Sequence, residues 1–295
     1  MSVPIALPTK ARVRRKVKDK AMAGVVGAAF LLAAIPLISL LWTVTVRGLA
    51  RWDAEFFTFS MRGVVGPGGG VVHALVGTLL ITLAASVMSV PLGLMTAIYL
   101  VEYGSGAFAR TIRFLVDVMT GIPSIVAGLA AYALFSLILG PGTRSGFAGA
   151  VALTIIMTPV VVRSTEEMLA LVPLDLREAS YALGVPKFRT ITKVVLPTAF
   201  SGIVSGIVLG ISRIVGETAP LLLVAGFTDA MNYNLFDKRM ASLPVYIYGQ
   251  WANKGVDAAA YDQRAWAAAL LLIVVVVTLH LTARGIVRLA RRTAV

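Results

Sequence analysis

The stretch Glu178-Ala179-Ser180-Tyr181-Ala182-Leu183-Gly184, with Leu196-Pro197 following soon after, lies in a polar segment between two strongly apolar ones. Pro173 can begin a short helix before it, because the N–H that proline lacks would be unpaired in a first turn. Gly184 can end that helix in a left-handed turn. The stretch is therefore expected to form a helix outside the membrane.

A second short helix is predicted directly after the first, with Pro186 at its first position. Apolar residues recur at helical spacing in both halves of this hairpin. They are Leu176, Ala179 and Leu183 in the first half and Phe188, Ile191 and Val195 in the second. Lys187, Arg189 and Lys193 interleave with the second set, which suits an acidic partner or a headgroup surface. Such a helix–turn–helix, held between membrane spans, can fill a groove in a cytosolic protein.

The composition is too apolar for an ordinary soluble domain. Of the 295 residues, 58% are apolar and 14% charged, which is typical of a polytopic membrane protein. The chain has no cysteine, and His73 and His280 are too few for a histidine-based centre, so we expect no metal. A net charge of +13 could indicate nucleic acid, but membrane orientation explains it and no nucleic-acid partner is expected.

The apolar runs predict an all-α membrane protein with six transmembrane helices. Each run is near or above the roughly 20 residues that cross hydrocarbon, although the fourth is short. The predicted spans are residues 21–46, 73–101, 113–139, 147–162, 198–227 and 266–283. Residues 1–20 are expected to be a basic cytosolic tail, and the first span is too long for a secretory signal. Aromatic residues in the loop 228–264 are expected to form an interfacial belt, and a surface helix or contacts to an external partner are the alternatives.

The distribution of basic residues supports this layout. With both termini in the cytosol, 18 of the 27 lysines and arginines fall in cytosolic segments, eight fall in external loops, and Arg213 lies within a span. Cytosolic loops of membrane proteins carry such an excess. The bias therefore places both termini and the predicted hairpin on the cytosolic side.

Arg213 and Glu217 are the most informative residues of the predicted spans. An ionised group at the bilayer centre costs at least about 2.5–3.5 kcal/mol, so such residues usually face protein or water and serve function. Their spacing of four predicts a shared helix face. Gly202, Gly206 and Gly210 continue that face, and small residues at this spacing let another helix approach closely. The face is therefore expected to meet a partner helix or a central pathway.

The role of this charged pair remains open at the level of sequence. Arg213 offers a planar fork of donors that can bind a tetrahedral oxyanion in two places. Glu217 either accepts a hydrogen bond from a protonated phosphate oxygen or neutralises Arg213 until substrate or a conformational change separates them. A structural salt bridge is the competing explanation.

Other polar and proline residues of the spans are weaker candidates. Pro123 and Pro159 are expected to kink the third and fourth spans, where freed carbonyls suit a pathway or ordinary packing. Asp117 is expected to reach lipid headgroups or to pair with Arg113. The charged residues where the fourth span ends are expected to form a solvated face, and they are Arg163, Glu166 and Glu167.

The stretch around Glu178 resembles the coupling motif of bacterial ABC-importer permeases, E-A-A-x3-G-x9-I-x-L-P. Ser180 stands at the second alanine and Val194 at the isoleucine, and both departures keep the side chain small or β-branched. The resemblance implies that this loop docks on an ATPase subunit and passes its motion to the membrane spans. It implies coupling roles for Glu178, Ala179, Gly184, Leu196 and Pro197.

Two further segments narrow the resemblance to phosphate-importer permeases of the PstA type. Residues 213–222 are similar to the R-A-x-G-E-T-A-P-L-L segment of that family, and residues 121–128 are similar to a second signature. The resemblance implies an importer transmembrane domain over 73–285, with its coupling loop at 164–197. It implies pathway roles for Arg213, Glu217 and Thr218 and a backbone contribution from Gly121, Pro123 and Ser124.

The same resemblance implies a heteromeric transporter in the bacterial inner membrane. Its other parts would be a sister permease (PstC), two copies of the ATPase PstB, and the phosphate-binding protein PstS. The chain has no phosphate-cradling glycine-lysine loop. ATP is therefore expected to bind the ATPase, and this subunit is expected to be neither an enzyme nor a holder of cofactors. Rival functions are a permease for molybdate, sulfate or phosphonate, and an ion-coupled carrier that needs no ATPase.

Overall fold

The computed structural model describes residues 9–255 and 257–293, and this part of the chain is helical, with no β-strand. It also contains two π-helical turns. Tyr99–Tyr103 continues the third α-helix, and Ile191–Val195 lies directly before the ninth. The α-helices are α1 (Thr9–Leu49), α2 (Ala54–Thr58), α3 (Val72–Ile98), α4 (Gly106–Gly121), α5 (Ser124–Leu139), α6 (Gly146–Ala170), α7 (Leu174–Ala182), α8 (Lys187–Thr190), α9 (Leu196–Val215), α10 (Ala219–Val224), α11 (Leu243–Ala252) and α12 (Ala258–Thr293).

The chain divides into two compact units, Met1–Arg47 and Gly48–Val295. In the first unit, the expected basic tail is already helical from Thr9, while residues 1–8 lie outside the described part. Most apolar side chains along 21–46 are exposed, with Val44 an exception, and such a surface suits hydrocarbon. The domain bounds inferred from sequence remain a prediction.

The membrane-span prediction agrees with the helices of the structure. Within residues 9–255 and 257–293, five helices are long and apolar enough to cross a membrane, and a sixth crossing results if the bent pair α4–α5 counts as one. The five are Arg14–Leu49, Val72–Tyr103, Gly146–Ala170, Lys187–Val215 and Ala258–Leu289. The predicted all-α membrane protein is therefore confirmed, and its six predicted transmembrane helices correspond to five or six candidate spans. The fourth span is longer than expected, because its helix continues through polar residues to Ala170.

The third predicted span, 113–139, consists of two helices, and the kink expected at Pro123 is a full break between them. Helix α4 ends at Gly121, Pro123 precedes α5, and the two helices meet at a bend of 105°. The cause is Pro123, which has no N–H for a helical bond and disfavours helical geometry at Ile122. Ile122 accordingly has extended backbone angles.

The fifth predicted span, 198–227, is also broken. Helix α9 ends at Val215, and the short α10 begins at Ala219. Pro220 lacks the N–H that would bond the Gly216 carbonyl, and glycine itself weakens a helix interior. The expectation of one continuous span here is therefore wrong.

Helix α6 lies at the centre of the second unit and packs against α3, α5 and α9. Leu153 and Met157 of α6 are fully buried beside Ile81 of α3 and Ile214 of α9. The α9 glycines lie against α6, where an added Cβ would meet Met168 at Gly202, Ser164 at Gly206 and Met157 at Gly210. These glycines therefore allow α9 to approach α6 closely.

The loop 228–264 contains the buried helix α11. Tyr246 has no exposed surface, so the predicted aromatic belt is wrong for that residue, whereas Tyr248 and Trp251 are exposed. The Leu243 N–H donates to Thr78 Oγ1 of α3 at 2.7 Å. Tertiary contacts with α3 and α12 therefore hold this segment.

Candidate functional site

Arg213 lies in the last turn of α9 and is exposed. It lines a narrow crevice formed mainly by the end of α4 and the middle of α6. The other residues of this crevice are Met119, Thr120, Ile122, Ala127, Ile155 and Ile156. The structure thus brings the predicted arginine to the α4–α5 break. We refer to this place as the Arg213 crevice.

Glu217 does not continue the α9 face, so the predicted helical i, i+4 arrangement is wrong. It lies in the break between α9 and α10, and its N–H donates to the Ile214 carbonyl at 3.2 Å. In the described part of the chain, no hydrogen bond or ion pair joins Arg213 to Glu217. Thr218 also lies in this break, half-buried like Glu217. The structure therefore lacks the structural salt bridge considered above.

The elements following the two breaks pack closely together. A Cβ added to Gly128 of α5 would lie 2.7 Å from Pro220 Cα of α10. Gly121 is the last residue of α4, with open space where its Cβ would be, and Ser124 is the first residue of α5. Helix breaks free backbone donors and acceptors, and in membrane proteins these are tolerated where they line a cavity. The Arg213 crevice thus places a guanidinium beside the end of α4.

The coupling stretch forms the predicted hairpin, which comprises α7 and α8 joined by residues 183–186. Pro173 and Pro186 each lie directly before a helix, one position earlier than a first helical residue. Gly184 has φ +74°, the left-handed conformation expected of a helix-ending glycine. We refer to residues 174–190 as the coupling hairpin.

The coupling hairpin presents its motif residues outward. Glu178, Ala179 and Gly184 are exposed, whereas Leu196 is half-buried where α9 begins and Pro197 is exposed beside it. Several large apolar side chains of this region are also exposed, namely Leu171, Leu174, Leu183 and Phe188. Apolar patches with a polar rim are typical of surfaces that meet another protein.

Ser180, at the position of the second alanine in the motif, has a structural role that sequence reasoning missed. Its hydroxyl shares a 2.8 Å hydrogen bond with the hydroxyl of Thr190, and both side chains are buried. The Val185 N–H also donates to the Ser180 carbonyl at 3.2 Å. Ser180 therefore ties the two helices of the coupling hairpin together.

Replacing Ser180 with alanine should loosen the coupling hairpin. A lost buried hydrogen bond costs about 1 kcal/mol, so amide hydrogen exchange across α7 and α8 should become about fivefold faster. Thr192→Ala is the matched control, because the Thr192 hydroxyl bonds only within its own segment, to the Phe188 and Arg189 carbonyls. Equal exchange in the Ser180→Ala and unaltered proteins would contradict this role.

The ion pairs between α4 and α6 differ from those expected. Asp117 pairs with Arg163 rather than with Arg113, and Arg113 pairs with Glu166 at 2.8 Å. Arg163 also reaches Glu166, at 3.1 Å. The expectation of a merely solvated face is therefore wrong for Arg163 and Glu166, because these side chains join α4 to α6.

Arg264, assigned from sequence to an external loop, lies near the start of α12 and is almost fully buried. It donates to Gln250 Oε1 at 2.8 Å and to the carbonyls of Gly66 and Gly68 at 2.8 and 3.0 Å. Burial raises the pKa of Asp229, and the positive charge of Arg264 opposes that shift. No sequence signal distinguished Arg264 from a surface arginine.

Comparisons with known proteins agree with this geometry. The family model described as "Binding-protein-dependent transport system inner membrane component" matches residues 89–294. The chain is 50% identical over 283 residues to the phosphate transport system permease protein PstA 1 of Mycobacterium tuberculosis (strain CDC 1551 / Oshkosh), covering 95% of this chain and 92% of that relative. It is 39% identical over 251 residues to the phosphate transport system permease protein PstA of Yersinia pestis, covering 85% and 83%.

The fold is also found in a solved structure. The bacterial alginate ABC transporter, in complex with an alginate pentasaccharide-bound periplasmic protein, contains a chain that matches with a TM-score of 0.63 at 14% identity. The match covers 93% of this chain and 96% of that one. At this identity the likeness concerns the fold alone. The family match and the two relatives together show that the chain belongs to the binding-protein-dependent transport system inner membrane components, within the PstA-type permeases.

Proposed function

We propose that this chain is the permease subunit of an ATP-driven importer of inorganic phosphate. It is a transport subunit and not an enzyme. The observation that carries the proposal is the position of Arg213 at the meeting of two broken helices, in a chain half identical to a phosphate permease. Discontinuous helices are where transporters commonly build substrate sites.

The transporter would need three kinds of partner. A sister permease would complete the translocation pathway, two ATPase subunits would bind ATP and receive the coupling hairpin, and an external binding protein would deliver phosphate. The basic bias of the sequence supports a cytosolic coupling hairpin and cytosolic termini in the inner membrane. This subunit would then need no cofactor of its own.

Phosphate would meet Arg213 in passing through the pathway. Arginine presents several donors in a fixed plane, which match two oxygens of one phosphate, and its charge survives burial. Glu217 and Thr218 would act from the adjoining break, with freed backbone groups near Gly121, Pro123 and Ser124. The absence of an Arg213–Glu217 ion pair from the described residues leaves the guanidinium available to an anion.

A permease for another tetrahedral oxyanion is the second candidate, because sulfate and molybdate would also suit an arginine fork. A single experiment separates the two. The chain and its partner subunits are reconstituted in vesicles, and labelled phosphate uptake is measured with and without ATP and with excess sulfate or molybdate. We expect uptake that requires ATP and ignores both competitors.

Two other results would contradict the proposal. Uptake by this chain without an ATPase would favour an ion-coupled carrier. ATP-dependent uptake that sulfate or molybdate blocks would keep the architecture but change the substrate.

A further inference from the structure

The π-helical turn Tyr99–Tyr103, which ends α3, is held by cationic side chains from three other helices. From α7, Arg177 donates to Glu102 Oε1 through Nη2 at 2.9 Å and through Nε at 3.3 Å. From α8, Lys187 donates to the Glu102 carbonyl, and its ammonium lies 4.8 Å from the centre of the Tyr103 ring. From α4, Arg113 Nη2 donates to the Leu100 carbonyl at 2.7 Å. Three cationic side chains thus connect the end of α3 to α4, α7 and α8.

Glu102 and Arg177 form the least exposed ion pair among the described residues. Their side chains are 5% and 11% exposed. Arg177 also donates to the carbonyls of Leu169 and Val172, at 2.9 and 2.6 Å. Separating such a pair leaves a buried charge without its partner, which is strongly unfavourable. The pair is therefore a stiff connection between α7 and the end of α3.

The π turn holds the coupling hairpin as one body. Its Glu102 carboxylate binds α7 and its Glu102 carbonyl binds α8, while the Ser180–Thr190 hydrogen bond joins the two hairpin helices. A displacement of the coupling hairpin must therefore either move the π turn or break several charged hydrogen bonds.

Arg113 connects the same turn to the Arg213 crevice. It lies on α4, which ends at Gly121, and Met119 and Thr120 of that helix line the crevice with Arg213. A helix transmits displacement along its axis, because its backbone hydrogen bonds make it a rigid element. The contacts thus run from the coupling hairpin to Glu102, along the π turn to the Leu100 carbonyl, and through Arg113 and α4 to the crevice.

We propose that the π-helical turn Tyr99–Tyr103 is the junction that passes displacement of the coupling hairpin into α4 and so to the Arg213 crevice. Glu102 and Arg177 are its positioning residues. This inference rests on the proposed function and adds to it a specific route and two residues outside the pathway. Interfaces of this kind shift between discrete arrangements, so the loss of one charged connection disconnects the two ends.

The absence of cysteine from the chain gives a direct test that needs no phosphate. A single Thr120→Cys, at an exposed position in the crevice, is labelled with a maleimide in the transporter assembled with its ATPase subunits. Labelling rates are compared with and without bound nucleotide. Because allosteric coupling typically changes an equilibrium fivefold or more, we expect about a fivefold nucleotide effect on labelling. The labelling ratio is the rate with nucleotide divided by the rate without it, and Glu102→Gln and Arg177→Gln should each bring it close to one.

Transport supplies the second measurement. In the same variants, ATP hydrolysis should stay within about twofold of the unaltered complex, while phosphate moved per ATP hydrolysed falls at least about fivefold. We call phosphate moved per ATP hydrolysed the coupling ratio. Arg177→Lys keeps the charge and should restore part of the coupling ratio. Asp262→Asn is the matched control, because it breaks the Lys254–Asp262 ion pair, which involves neither the coupling hairpin nor the π turn. It should change neither the labelling ratio nor the coupling ratio.

The exposed Lys187 provides a further variant if Glu102 or Arg177 replacements prevent assembly. Lys187→Met removes the α8 contact without leaving a buried charge, and it should lower both ratios. Two results would overturn the inference: bound nucleotide that leaves the labelling of Thr120→Cys unchanged in the otherwise unaltered complex, or a nucleotide effect that persists in the Glu102, Arg177 and Lys187 variants. Failure of the unaltered complex to transport phosphate would instead contradict the proposed function, and the labelling experiment would still test the junction.

Discussion

Replacing Arg213 with glutamine is expected to lower ATP-driven phosphate uptake about 10- to 100-fold, because hydrogen bonds to a charged group contribute about 1.5–3 kcal/mol. The arginine lies in the crevice at the α4–α5 break, where glutamine keeps a polar head but loses the charge and the planar fork. The uptake rate of Arg213→Lys should lie between those of the unaltered and Arg213→Gln complexes, since lysine keeps a charge without the fork. Initial uptake rates in vesicles, normalised to assembled complex, measure the effect.

The matched control is Arg110→Gln, which removes an exposed arginine of α4 that does not line the crevice. Its uptake should stay within about twofold of the unaltered rate, since surface substitutions away from such features have small effects. An Arg213→Gln complex that assembles and transports at the original rate would contradict a pathway role for this residue.

Gly77→Ala is expected to destabilise the protein more than a glycine-to-alanine change at a position with open space for the Cβ. Gly77 lies in α3, buried against the segment before α11, and an added Cβ would overlap the Ala241 carbonyl oxygen. The neighbour is backbone, and the next residues are fixed by the bond from Leu243 N–H to Thr78. Overpacking of this kind costs about 1–3 kcal/mol or more. We expect a lower thermal midpoint and a smaller yield of assembled complex.

Gly285→Ala makes the same chemical change with the opposite expected result. Gly285 lies within α12, and no atom lies within 4 Å of the Cβ position. Alanine is favoured over glycine in a helix by about 1 kcal/mol, so this variant should be at least as stable as the unaltered protein. Thermal unfolding of both variants, followed by circular dichroism in the same detergent, provides the comparison. Equal midpoints would contradict the close approach at Gly77.

The sequence by itself determined the class of the protein and the coupling hairpin. Long apolar runs need helices to satisfy their backbone in hydrocarbon, so hydropathy predicts where the membrane helices lie, although not the breaks in the third and fifth spans. Pro173 and Gly184 act locally, through a missing N–H and a permitted left-handed conformation, and they place the ends of α7 to within a residue or two. The motif around Glu178 and the segment 213–222 carried the family assignment, because both are read without any tertiary information.

Only the tertiary structure decided where the breaks lie and which residues meet. Pro123 and Pro220 were visible in the sequence, but proline can either kink a helix or end it, and the surrounding packing selects between these outcomes. The pairing of Glu102 with Arg177 joins residues 75 positions apart. The burial of Arg264 depends on carbonyls nearly 200 positions away. Local periodicity contains no information about such partners, because they are set by how the helices pack.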